Sequence, residues 1–79
     1  MKKNYKIEEY EWKKMSWFPI RTYRTPHAAF NAMKARKNAS MMPFRCFYKD
    51  NEIMNTKSDL TTQFRIHLRC VKLKRILKN

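Results

Sequence analysis

Hydrophobic and polar residues alternate at the start of the chain in the way that is typical of β-strands. Tyr5 and Ile7 alternate with charged residues, and the pattern resumes one residue out of phase at Tyr10, which predicts a strand with a bulge. A second alternation covers residues 17–24, so we expect a hairpin. Because Pro19 cannot donate a hydrogen bond to a neighbouring strand, the second strand should have an unpaired edge.

Thr25 and Pro26 predict the start of a helix. Threonine supplies an oxygen to the unpaired amides of the first turn, and proline at the first helical position loses no hydrogen bond. Asn38 is suited to cap the other end. Small side chains recur at spacings of four, three and four residues, and we expect this face to pack against the sheet: Ala28, Ala32, Ala35 and Ala39, flanked by Ala29 and Met33.

Two short strands follow the helix. Residues 44–49 alternate with aromatic side chains on both faces, and residues 52–54 return after a two-residue turn predicted at Asp50 and Asn51.

The last third of the sequence supports two interpretations. Residues 62–70 alternate between apolar and polar without a break, which favours a strand through about Val71. The capping-box pattern at residues 56–59 favours a helix instead. We favour the strand, because the apolar residues of a helix over 60–77 would spread around more than half of its circumference. Residues 72–79 then form a basic tail or a short helix.

The predicted fold is therefore α+β, with a small antiparallel sheet packed against one helix in the order β-β-α-β-β-β. A chain of 79 residues has room for one thin core, so residues 1–79 are expected to form a single domain. With 43% hydrophobic and 14% aromatic residues, the chain is too apolar for a disordered basic tail.

The absence of glycine narrows the candidate chemistry. Phosphate-binding loops and dinucleotide fingerprints need glycine, and the chain contains none, so no nucleotide cofactor is expected. The two cysteines and two histidines lack the close pairing of a zinc site, so no metal is expected either. Cys46 and Cys70 are predicted to be buried thiols in a reducing cytosol. Neither an export signal nor a membrane-spanning segment is recognisable in the sequence.

The charge distribution points to an anionic partner. The chain carries 19 Lys and Arg against six Asp and Glu, a formal net charge of +13. The acidic residues fall within two short regions, at 8–11 and 50–59, while residues 12–49 hold nine Lys or Arg and no carboxylate. Cationic side chains interleaved with aromatic ones are typical of nucleic-acid-binding surfaces.

We expect the strands around Arg45 and Arg65 to share a sheet and to present a cationic and aromatic platform on the face opposite the helix. On this basis the sequence predicts a non-enzymatic protein that binds RNA or single-stranded DNA, with phosphates held by Lys and Arg and bases stacked on Phe47 or Tyr23. The alternative is that Phe47 belongs to the core and that the cations only keep the protein in solution. The candidate binding residues are Arg21, Tyr23, Arg24, Lys34, Lys37, Arg45, Phe47, Lys49, Arg65, His67, Arg69, Lys72 and Lys74.

The Tyr5–Ile7 strand, the Thr25–Pro26 helix start and the glycine-free composition rich in Asn and Lys resemble the small accessory proteins that bacteriophages encode. This resemblance implies a protein that acts in the host cytosol on nucleic acid or on host machinery. An inhibitor or adaptor that docks on an acidic host protein is therefore the second hypothesis, and Trp12 and Trp17 are its candidate anchors.

A small metal-independent ribonuclease is the third hypothesis. In such a site His67, Tyr23 or Tyr48 would transfer a proton. Arg65 or Arg69 would stabilise the charge on the phosphate.

Overall fold

The protein folds as a four-stranded antiparallel sheet with two helices, which confirms the α+β prediction. The computed structural model describes the backbone of residues 3–78 and the side chains of residues 3–73. The strands have the spatial order β2-β1-β3-β4. In chain order the elements are β1 (Tyr5–Glu11), β2 (Ser16–Tyr23), α1 (Pro26–Ala39), β3 (Phe44–Tyr48), β4 (Asn51–Asn55) and α2 (Leu60–Lys78).

The first two strands form the predicted hairpin, and β2 is an edge strand, as Pro19 indicated. The register shifts where Ile7 pairs with Arg21 and the next residue, Glu8, pairs with Pro19. The extra residue is therefore Ile20 of β2, and the predicted bulge in β1 is wrong. The register between β1 and β3 has no such shift. Strand β1 is therefore continuous.

The turn between β3 and β4 lies one residue earlier than predicted. Tyr48 pairs with Asn51, so the two turn residues are Lys49 and Asp50. Both have positive φ, 47° and 70°. Two left-handed residues give a turn whose twist matches that of the flanking strands, and Asp takes this conformation more readily than most residues do.

Helix α1 begins where the sequence predicts. The Oγ1 atom of Thr25 accepts a hydrogen bond from the backbone amide of Ala28 at 3.2 Å. The other end differs, because the helix continues to Ala39 and its C-cap is Ser40 in an extended conformation, not Asn38.

The predicted alanine face of α1 is correct in part, since Ala32 packs against the core. The buried residues of the helix are Ala29 and Met33, while Ala35 and Ala39 are exposed. Burying the larger Met33 removes more apolar surface from water than burying an alanine does, and this difference sets the rotation of the helix.

The predicted fifth strand is a helix, so the helical alternative for the last third is the correct one. Asp59 is its N-cap, with Oδ2 accepting hydrogen bonds from the backbone amide and the hydroxyl of Thr62 at 3.1 and 2.7 Å. Leu60, Phe64 and His67 follow at spacings of four and three and are all buried. The alternation misleads because Ile66, one of its apolar members, is exposed on the helix. Residues 72–78 belong to α2 and do not form a separate tail.

The core lies between one face of the sheet and the two helices. Helix α1 contacts β1, β2 and β3, and α2 contacts β4 and α1. The described elements leave the other face of the sheet uncovered, and we call it the open face. The buried hydrophobic residues are Tyr5, Ile7, Ala29, Met33, Phe44, Cys46, Met54, Leu60 and Phe64.

Neither helix within residues 3–78 has the length and apolar content needed to cross a membrane.

Candidate nucleic-acid interface

The predicted platform is split between two sides of the molecule. Arg45 and Phe47 pair with Glu8 and Lys6 of β1, and opposed residues of neighbouring strands share a face, so this group lies on the open face. Arg65, His67 and Arg69 are instead on α2, on the covered side. Since residues 62–70 form a helix, the two halves of the platform never share a surface.

Two cations of the open face are paired with one carboxylate. The guanidinium Nε of Arg45 donates to Oε1 of Glu8 at 2.8 Å, and the ammonium of Lys6 lies 3.3 Å from Oε2. Arg45 also stacks over the rings of Trp17 and Phe47, at 4.2 and 4.9 Å from their centroids. Both cations are thus engaged within the fold, which leaves this face poorly suited to hold a polyanion.

The ionised state of Glu8 is stabilised by these neighbours. Burial, to 8% exposure, acts to raise the pKa of the carboxyl group, and the hydrogen bonds and charges of Arg45 and Lys6 outweigh it, so the pKa lies below its usual value of 4.5. Glu8 therefore keeps its negative charge at neutral pH.

His67 belongs to the core. Its side chain is 6% exposed, and its Nε2 lies 2.8 Å from the hydroxyl of Tyr5. The rings of Tyr5 and Tyr48 also contact it edge-on, at centroid distances of 5.5 and 5.1 Å. The sequence predicts that His67 belongs to an open phosphate-binding surface, but the structure buries its side chain.

Tyr5 is held in its neutral form. Burial, with smaller contributions from the charges of Tyr48 and Cys46, raises the pKa of the phenol to about 12. A neutral, buried tyrosine bonded to a buried histidine is typical of a structural pair, and it is poorly placed to transfer protons to a large substrate.

The two helices carry cations and no carboxylate. Together α1 and α2 carry nine of the 19 Lys and Arg residues and none of the six Asp and Glu. The exposed members with described side chains form a surface that we call the helix-layer cations: Lys34 and Lys37 on α1, and Arg65, Arg69 and Lys72 on α2. Those on α2 are spaced by four and three residues, so they follow one face of the helix over about 10 Å.

Helices α1 and α2, which both carry exposed cations, pack directly against each other. Phe30 of α1 stacks on Phe64 of α2 with ring centroids 4.2 Å apart. The ammonium of Lys34 lies over the Phe30 ring at 4.7 Å, which places it beside this contact, and Arg65 directly follows Phe64. The aromatic contact thus joins the two helices at a point where α1 carries Lys34.

One carboxylate lies near this surface, at the start of α2. The hydrogen bonds from Thr62, with a smaller contribution from the charge of Lys37, hold the pKa of Asp59 below its usual value of 3.8. Because Asp59 is engaged in capping the helix, it offsets the cations at one end of the surface only.

At the opposite end, a cleft of about 740 Å³ lies between the start of α1 and the second half of α2. Three cations line it: Arg24 from the connection before α1, and Arg69 and Lys72 from α2. Tyr5 and Tyr48 also line the cleft, and its described lining contains no Asp or Glu. An anion could contact cations from two elements here.

The other candidate residues are dispersed. Arg21 is exposed on the edge strand, Tyr23 packs against the core, and Lys49 lies in the β3–β4 turn with its ammonium over the Tyr48 ring. Lys74 lies on α2, and its side chain falls outside the described part.

Sequence reasoning missed Tyr5 as a residue of the cleft and considered Tyr48 only as a ribonuclease candidate. Tyr5 and Tyr48 are directly paired in neighbouring strands, and their rings lie 4.8 Å apart. Their alternation with charged residues identifies them as buried strand residues, but nothing in that pattern shows that they lie at the edge of the core, next to a cleft.

The cysteines differ from each other. Cys46 is buried as predicted, and burial raises the pKa of its thiol to about 12. Cys70 is exposed, so its predicted burial is wrong, because on a helix this position turns away from the core. It lines a second cleft of about 430 Å³ between α2 and the β3–β4 hairpin, together with Ile66 and Val71.

Comparison with known protein families, with curated proteins and with solved structures found no match for this chain.

Proposed function

We propose that this protein binds nucleic acid without acting as an enzyme, and that the phosphate backbone lies along the helix-layer cations. The observation that carries the proposal is the segregation of charge: nine Lys and Arg and no carboxylate within the two helices, against an ion-paired open face. A polyanion gains from such a surface because each neutralised phosphate releases condensed counterions.

The interface proposed here differs from the sheet platform expected from the sequence. Phe47 lies on the open face beneath Arg45 and Lys6, so it does not supply base stacking next to the helix-layer cations. Contacts to the phosphate backbone of the nucleic acid therefore dominate the proposed interface. A preference for single strands would require bases to stack on another part of the protein.

The experiment is a fluorescence-anisotropy titration of the full chain with single-stranded and double-stranded RNA and DNA of equal length at several salt concentrations. Binding should weaken steeply with salt, with a log–log slope of about −3 to −5 if four to six phosphates are contacted. A slope near zero, or absence of binding at low salt, would contradict the proposal. Equal affinity for single and double strands would remove the single-strand preference and leave backbone binding intact.

The non-enzymatic part of the proposal is supported by the environment of His67 and Tyr5, which bond to each other in the core. Labelled RNA incubated with the protein in the presence of a chelator should remain intact. Cleavage that persists through ion-exchange purification, and disappears in His67→Gln protein shown to be folded, would instead support the ribonuclease hypothesis.

A second candidate, docking on an acidic host protein, is favoured by the tip of the β1–β2 hairpin. Trp12 and Met15 are 64% and 78% exposed there, beside Lys13 and Lys14. Trp17, the other predicted anchor, is half-buried against Tyr10 and does not share this exposure.

A pull-down from nuclease-treated lysate tests this second candidate. Wild-type protein should retain a partner that Trp12→Ala protein loses. If the partner is captured from untreated lysate but not from nuclease-treated lysate, the interaction depends on nucleic acid, and the docking hypothesis fails.

We also propose a reducing cytosol as the site of action. Cys46 and Cys70 are free, as cysteines of cytosolic proteins usually are. A thiol titration of protein purified without reductant from cytosol should find both groups reduced after unfolding.

A further inference from the structure

The cleft beside Tyr5 and Tyr48 is lined by more positive charge than one phosphodiester can neutralise. Arg24, Arg69 and Lys72 reach it from two separate elements, and within the described residues none of the three forms an ion pair with a carboxylate. A backbone phosphodiester carries one negative charge. A terminal phosphomonoester carries about −1.5 to −2 at neutral pH and has three acceptor oxygens, so it matches a convergent group of cations better.

The apolar part of the same cleft suits the nucleoside attached to such a phosphate. Its lining includes the side chains of Tyr48 and Leu68, next to the buried Tyr5. Its volume of about 740 Å³ lies within the range of sites that hold small molecules. Pro26, at the first position of α1, is also part of the lining, so the positive end of the α1 dipole adds to the attraction for an anion.

Two of the three cleft cations also belong to the helix-layer cations. Arg69 and Lys72 line the cleft and continue the exposed row that starts at Arg65. A strand that follows this row therefore reaches the cleft beside the second half of α2. This continuity favours the end of a bound strand as the ligand of the cleft. A free nucleotide would contact the cleft only and would not use the rest of the row.

We infer that this cleft binds the terminal phosphomonoester of a nucleic-acid strand, with Arg24, Arg69 and Lys72 contacting the phosphate and Tyr48 contacting the terminal nucleoside. The inference rests on the proposed function and adds to it a preference for phosphorylated ends.

The test uses the full chain and single-stranded oligonucleotides of one sequence, about twelve nucleotides long, which is within the usual span of one small binding domain. They carry a 5′-phosphate, a 3′-phosphate, or hydroxyl groups at both ends. One phosphorylated form should bind about tenfold more tightly than the hydroxyl form, because a dianion at three cations makes charge-assisted hydrogen bonds that a hydroxyl cannot.

Three single variants separate the cleft from the rest of the surface. Arg24→Gln and Arg69→Gln should reduce the preference for the phosphorylated end to about twofold or less. Arg65→Gln is the matched control, since it removes a cation from the same surface outside the cleft. It should weaken the binding of all three oligonucleotides by the same factor and leave the preference unchanged.

The possible failures are distinguishable. If all three oligonucleotides bind equally well, the end-binding inference is overturned while the proposed function stands. If none binds, the proposed function itself fails. If adenosine monophosphate competes for the cleft as strongly as the phosphorylated oligonucleotide does, the ligand is a free nucleotide, and the assignment to strand ends is overturned.

Discussion

At the scale of single residues, Glu8 controls the charge balance of the open face. It accepts a hydrogen bond from Arg45 and lies within ion-pair distance of Lys6. Glu8 is buried and is the shared partner of both cations. Replacing it therefore leaves two positive charges without a partner.

Glu8→Gln should therefore lower the free energy of unfolding by about 1–2 kcal/mol at pH 7. The folded pKa is lower than the unfolded one, so this contribution is complete above the usual value of 4.5 and is lost as the pH falls through the folded value. Urea unfolding of both proteins at pH 7 and at pH 3 measures the change, with Glu11→Gln as a control from the same strand. An equal difference between wild type and Glu8→Gln at the two pH values would contradict the ionised pair.

The hydrogen bond between Tyr5 and His67 provides a test of whether His67 has a structural role. Tyr5→Phe removes the hydroxyl that lies 2.8 Å from Nε2 and keeps the ring in place. We expect a loss of about 1–3 kcal/mol in the free energy of unfolding, because the bond is buried. Urea unfolding measures it, and Tyr23→Phe serves as the control. A loss no larger than that of the control would show that the bond contributes little.

At the scale of elements, the N-cap of α2 favours a helix for residues 60–78, whereas the alternation of apolar and polar residues favours a strand. Asp59 accepts hydrogen bonds from Thr62, and the same bonds lower its pKa. Asp59→Ala should lower the urea midpoint and the helical signal in circular dichroism at pH 7, whereas Asp59→Asn should keep most of both. If Asp59→Ala changes neither, residues 60–78 do not depend on this cap.

How far the sequence predicts each element depends on how local the deciding interaction is. The start of α1 is predictable because Thr25 caps an amide three residues away. The identity of α2 is not, because Phe64 is buried against Phe30 and His27, which are 34 and 37 positions away in the chain. Gln63 adds a second distant contact, since its side chain bonds both backbone groups of Asn55 at the end of β4.

At the scale of the whole molecule, the count of cations is readable from the sequence but their grouping is not. The positions Arg24, Lys34, Lys37, Arg65, Arg69 and Lys72 are all expected to bind an anion, and the structure places them at the helix layer or its adjoining cleft. Arg45 and Phe47 separate from them because residues 62–70 form a helix on the opposite side of the sheet. One wrong element thus changes which face is proposed to bind.

The grouping of charge, rather than its total, is the central claim, and two variants with equal net charge test it. Lys37, Arg65 and Arg69 are changed to Gln in the first variant. Lys13, Lys14 and Lys49, which are also exposed and lie in the two hairpin turns, are changed to Gln in the second. Each variant loses three positive charges.

The decisive measurement is the salt dependence of nucleic-acid binding by wild type and these two variants, followed by fluorescence anisotropy. The first variant should bind weakly, and its log–log slope should be smaller than that of wild type by about 2–3, because three phosphate contacts are lost. The second should keep a slope within about one of the wild-type value. If both variants lose affinity and slope equally, net charge alone governs binding, and the helix layer is not the interface.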